Sequence, residues 1–208
     1  MISRQMRAAI KQTMFISVLL LVIFVLMSVI GYQQEKPEVK PNETLPAISD
    51  QVLAYRPLVE KYAAEHDIAA HVNVLLAIMM QESAGRGKDP MQASESYCGK
   101  IGCIQDVELS IRQGVRHFAS TLKAADGDME LAIQSYNFGK GFISYVQKHS
   151  GQFSEQAAID FSKQMYERAE DQTIYTCLRK EAKQYDACYG DIYYVRSVQA
   201  YQRSLVQR

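Results

Sequence analysis

Glu82 closes the most apolar helical stretch beyond residue 50, HVNVLLAIMMQES, residues 71–83. Leu75, Ile78, Met79 and Glu82 fall at i, i+3, i+4 and i+7, so a helix places them on one face. Such a face packs inward and sets the carboxyl at the lip of an apolar region. Desolvation there disfavours the ionised form and raises the pKa. A carboxyl kept protonated near neutral pH can hand its proton to a leaving oxygen. A helix C-terminus is otherwise a poor place for a negative charge. Periodicity alone fits a surface carboxylate that merely ends a helix equally well.

Cleaving a glycosidic bond by this route generally takes a second carboxylate, as nucleophile or as base for water. Downstream stand Asp89, Glu95, Asp106 and Glu108. Glu95 lies in an irregular stretch, where it can face Glu82 across a cleft. Asp106 reads as the cap of the next helix. Asp89 precedes a proline and reads as a turn residue bonding nearby backbone.

Helical patterns supply the elements that would position these groups. Val52, Tyr55, Val59 and Tyr62 share a face over residues 50–67, with Asp50 as the expected cap. Apolar residues recur at 107, 111, 115, 118 and 122. A helix over 128–138 runs up to the Gly139/Gly141 pair, which reads as its end. Another starts at Ser154, and a last one covers residues 192–206. Residues 84–105, with Gly85, Gly87, Pro90, Gly99 and Gly102, read as an irregular loop region or a short β-hairpin.

The chain of 208 residues has a formal net charge of zero, and from residue 51 onward 18 basic residues stand against 19 acidic ones. No basic face for nucleic acid is indicated. Neither a metal-ligand set nor a cofactor is expected. Residues 1–13 hold Arg4, Arg7 and Lys11 and no acid, and read as a cytoplasmic tail. Residues 14–31 carry no charged side chain and would rise about 27 Å as a helix, close to the hydrocarbon thickness of a bilayer. They read as a retained transmembrane signal-anchor, since no convincing small-residue cleavage site follows. Positive charge before the span sets the N-terminus in the cytoplasm and the remainder outside. Residues 32–50 are a Pro-rich linker, and 51–208 form the folded domain. Cys98, Cys103, Cys177 and Cys188 all lie beyond the span. Of their three possible connectivities, the local pairs 98–103 and 177–188 are the simplest.

Four blocks in order resemble the bacterial lysozyme-like muramidases related to goose-type lysozyme and the soluble lytic transglycosylases. They are Glu82-Ser83 at the end of an apolar helix, Met91-Gln92, Ser135-Tyr136-Asn137, and YGDIYYVRSV near residue 194. The resemblance implies a mainly α, α+β lysozyme-like domain that acts on peptidoglycan glycan strands. It implies cleavage of the β-1,4 bond between N-acetylmuramic acid and N-acetylglucosamine, with Glu82 as general acid. Ser83 and Gln92 would orient Glu82 or bind sugar amides and hydroxyls. Tyr136, Asn137 and Tyr194 would line the cleft. Goose-type relatives carry an aspartate two residues after the Met-Gln pair. Ser94 stands there in this chain and the carboxylate follows at Glu95, so hydrolysis and a lytic route to a 1,6-anhydro product both stay open. A tethered enzyme of this kind suits local wall opening, including for an envelope-spanning machine. A glycan-binding protein that does not cleave is the alternative from another class. None of His66, His71, His117 or His149 sits in a motif resembling the cysteine peptidase domain that some relatives add.

Overall fold

Proline and tyrosine break the first expected helix in two. α1 (Asp50–Ala54) ends at Tyr55, and α2 (Arg56–Glu65) begins with Pro57 in its first turn, where a missing N–H costs nothing. Ser49, not Asp50, caps α1 by accepting from Val52 N, because Asp50 already lies inside the helix. A short 3₁₀ turn leads into α3 (Val72–Ser83). α4 (Ser94–Cys98) and α5 (Val107–Ala124) follow. Next come α6 (Met129–Phe138), α7 (Gly141–His149), α8 (Glu155–Glu167), α9 (Lys180–Gln184) and α10 (Tyr194–Val206). Asp106 caps α5 as expected, accepting from Leu109 N at 2.7 Å, and Ser154 caps α8 through Ala157 N.

The chain divides into two units, Met1–Thr44 and Leu45–Arg208. The computed structural model describes residues 45–207 and, before them, only positions 14, 15, 17 and 21. The basic tail, the anchor expected over residues 14–31 apart from those four positions, and most of the linker thus lie outside the described residues. No helix among the described residues is long and apolar enough to cross a membrane.

α3 is the central element. Leu75, Leu76, Ala77, Ile78 and Met79 are fully buried, because the helix is apolar on nearly every side. It packs most extensively against α10, and also against α2 and α1. α5 lies against α2 and α6. No strand occurs among the described residues, which corrects the α+β class and the β-hairpin option for residues 84–105. That stretch closes on itself through turns at Gly85, Gly87, Gly99 and Gly102, all with positive φ, around the short helix α4. The backbone groups a hairpin would pair are taken by side chains instead. Both disulfides join the local pairs, Cys98–Cys103 behind α4 and Cys177–Cys188 across α9.

Candidate active site

α3 ends one residue after Glu82. Ala84 turns left-handed at φ 55, and its carbonyl accepts from Ser49 Oγ at 2.7 Å, which fixes where the chain leaves the helix. Glu82 is half-buried. Desolvation is the main cause that pushes its pKa from the ordinary 4.5 up to about 7, and the charges of Asp89 and Asp191 push the same way. One group pulls it back: Tyr194 Oη donates to Glu82 Oε1 at 2.5 Å, which favours the carboxylate. With Oε1 accepting that bond, Oε2 is the oxygen on which the protonated form would carry its proton.

Two buried tyrosines flank this carboxyl. Tyr194 opens α10 and Tyr136 sits in α6, and burial, followed by the charge of Glu82, holds both phenols well above their usual range. Both therefore act as neutral donors. Tyr136 Oη is committed to the carbonyl of Met91 at 2.7 Å.

Asp89 builds the loop that follows. Its carboxylate accepts from Ala93 N, Ser94 N, Ser94 Oγ and Ser110 Oγ at 2.9, 3.0, 2.6 and 2.6 Å. Ser110 Oγ in turn accepts from Met91 N, and Ser94 Oγ from Ile104 N. Met91 is fully buried against Gly114 of α5, where an added Cβ would lie 2.5 Å from the Met91 side chain. Ser83 Oγ donates to the Pro90 carbonyl at 2.8 Å and accepts from Gly85 N, so it clasps the loop to the end of α3. Gln92 takes a left-handed φ of 48, is exposed, and donates from Nε2 to the Asp89 carbonyl. Glu95 is exposed in the first turn of α4. Its charge acts on Tyr189, not among the charges that shift Glu82.

A cavity of about 510 Å³ opens beside Glu82. It is lined by Asn137, Arg179, Asp191, Tyr194, Ser197 and Tyr201, among others. Of the residues expected at the site, Glu82, Asn137 and Tyr194 line it together. Tyr136 lies behind them, and Ser83, Gln92 and Glu95 are not in its wall. Asn137 Oδ1 accepts from Asp191 N at 2.8 Å, which leaves its amide group available to the cavity.

Asp191 and Arg179 are the residues that sequence reasoning missed. Asp191 is 3% exposed. It receives Arg179 Nε and Nη2 at 2.8 and 2.6 Å and Tyr193 N at 2.9 Å. Arg179 Nη2 also donates to Ser197 Oγ at 2.7 Å. Asp191 stands inside the YGDIYYVRSV block, which is the signal that could have found it. Arg179 carries no local signal. Among the described residues no group of His, Cys, Asp and Glu is arranged to hold a metal ion.

Replacing Tyr194 with Phe removes the bond that favours the carboxylate. The pKa of Glu82 should then rise above about 7, by roughly one unit for a hydrogen bond to a charged group. The alkaline limb of a pH–rate profile is expected to move to higher pH by that amount. An unmoved limb would mean that this bond does not govern the Glu82 proton.

A lysozyme-like family model matches residues 49–202. The chain belongs to the lysozyme-like family. This lysozyme-like chain is 44% identical over 116 residues to the bifunctional muramidase/DL-endopeptidase CwlT of Bacillus subtilis (strain 168), across 56% of this chain and 35% of CwlT. It is 36% identical over 162 residues to the uncharacterized membrane protein YocA of the same organism, across 76% of this chain and 71% of YocA. A crystal structure from Staphylococcus aureus subsp. aureus Mu50, described as similar to a lipoprotein of the NLP/P60 family, matches with a TM-score of 0.66 at 35% identity. That match covers 76% of this chain and 54% of the other. The lysozyme-like chain therefore spans about a third of CwlT and about half of the staphylococcal protein.

Proposed function

We propose that this protein is a cell-wall muramidase that cuts the β-1,4 bond between N-acetylmuramic acid and N-acetylglucosamine, with Glu82 as general acid. One observation carries the reading: a carboxyl whose pKa is raised to about 7 stands at the wall of an open cavity. Glu82 Oε2 gives its proton to the bridging oxygen. The bond from that oxygen to the muramic C1 breaks, and N-acetylglucosamine leaves with the proton on its O4. Water then adds to C1, with Glu95 as the base that takes its proton. Membership of the lysozyme-like family and the name muramidase on CwlT support the reaction class. A membrane tether at residues 14–31 is part of the proposal, supported by their charge-free apolar run and by the name membrane protein on YocA.

A specific observation favours a lytic route as the second reading. Asp89 and Asp191, the carboxylates whose fields reach Glu82, are both tied up in other bonds, and Glu95 is exposed. If Glu95 does not reach the water, the muramic 6-hydroxyl attacks C1 instead, its proton returns to the Glu82 carboxylate, and a 1,6-anhydro end results. Mass spectrometry of fragments released from purified walls separates the two, because the anhydro product is lighter by one water. Reducing muramic ends are expected, with their yield falling about a hundredfold in Glu95→Gln. Anhydro ends, or full activity in that variant, would remove Glu95 from the mechanism.

A further inference from the structure

Several cations of the domain meet carboxylates. Arg179 meets Asp191, Arg196 meets Glu155, Lys61 meets Glu108, and Lys163 meets Glu167. One polar pocket instead gathers basic side chains with no carboxylate in its wall. A cavity of about 420 Å³ lies between α4, α5 and the turn before α7, and Arg116, His117 and Lys140 converge on it. Gln113, Ser96 and Tyr97 supply further donors or an aromatic wall, and no carboxylate lines it. Arg116 is exposed and takes part in no ion pair or hydrogen bond among the described residues. Lys140 bonds only the neutral Ser120 Oγ. Burial, and then the charge of Lys140, depress the pKa of His117, as expected where positive charge collects without a counterion.

An aromatic contact runs from the pocket toward Glu82. His117 meets Tyr136 edge-on, with ring centroids 5.0 Å apart, and the same Tyr136 feels the charge of Glu82. We propose that this cationic pocket is a subsite for a carboxylate of the peptide stem borne by the glycan. Arg116 and Lys140 hold the carboxylate, and Gln113 and Tyr97 contact the stem. The proposal rests on the muramidase reading. A stem leaves the glycan at the lactyl group of N-acetylmuramic acid, the sugar whose C1 that reading places beside Glu82. Arg116 offers the planar fork that suits a carboxylate.

The test is calorimetric titration of the full chain in detergent. One ligand is N-acetylglucosaminyl-N-acetylmuramyl tripeptide, and the other is the same disaccharide without peptide. Neither contains the scissile bond, so binding is read without turnover. The wild type is expected to bind the peptide-bearing form about fivefold more tightly, as two part-exposed ion pairs allow. The double variant Arg116→Gln/Lys140→Gln is expected to bind both forms alike, with wild-type affinity for the bare disaccharide as its control for folding. Equal affinities in the wild type, a preference that survives in the double variant, or no binding of either ligand overturns the proposal. A short polyglycerol phosphate that binds more tightly than the peptide form overturns it in favour of a phosphate site. A preference intact in a chain that cuts no wall supports the subsite and removes the muramidase reading instead.

Discussion

Glu82→Gln is expected to lower the rate of wall cleavage by about a thousandfold, the middle of the range for removing a general acid. Gln keeps the shape and can still accept from Tyr194, but it has no proton to give. The same substitution should stabilise the fold at alkaline pH. A carboxyl whose folded pKa is about 7, against an ordinary 4.5, holds its proton more tightly in the folded state. Its contribution is fully present below about 4.5 and is lost as pH rises to about 7. That displacement corresponds to at most about 3 kcal/mol, less what solvent in the cleft screens away. Equilibrium unfolding of wild type and variant at pH 5 and pH 8 checks the sign. The two should be close at pH 5, and the variant should be the more stable at pH 8. Wild-type cleavage by the Gln variant would exclude a catalytic Glu82, and no cleavage by either form would favour the glycan-binding alternative.

Arg179→Met is expected to cost about 3 kcal/mol of stability, because it leaves a buried carboxylate without its partner. Asp191 is 4% exposed at its side chain and Arg179 31%, so most of the cost falls on the aspartate. Tyr193 N still reaches Asp191, and Gln81 Nε2 lies 3.5 Å from it, which limits the loss. The double variant Arg179→Met/Asp191→Asn should recover much of it, since no unpaired charge then remains. A second readout separates this pair from ordinary scaffolding. Asp191 raises the pKa of Glu82, and Arg179 neutralises Asp191. Removing Arg179 should therefore move the alkaline limb of the pH–rate profile upward, and removing both charges should move it downward. Stability loss with an unmoved limb would assign the pair to the fold alone.

Much of the helical frame could be read locally. The seam of α5 and the caps at Asp106 and Ser154 follow from residues within one or two turns of each other. The desolvated face ending at Glu82 was also readable, because Leu75, Ile78 and Met79 carry it. The misses have physical causes. Gly139 and Gly141 read as the end of one helix, yet only Gly139 has a positive φ, and Gly141 begins α7. α9 is five residues long and stands beside a disulfide, too short for any period to show. The polar half of the site depends on distant pairings. Tyr194 reaches Glu82 across 112 positions, and Asp191 N reaches Asn137 across 54. Ser83 and Gln92, whose block implied sugar contacts, instead bond the loop backbone.

Carbon-13 NMR titration of the side-chain carboxyl of Glu82 in the full chain tests the central claim most directly, with Glu82→Gln identifying the resonance. A midpoint near 7 is the predicted result. A midpoint at or below 4.5 would show an ordinary ionised carboxylate at neutral pH, with no proton to give to the glycosidic oxygen.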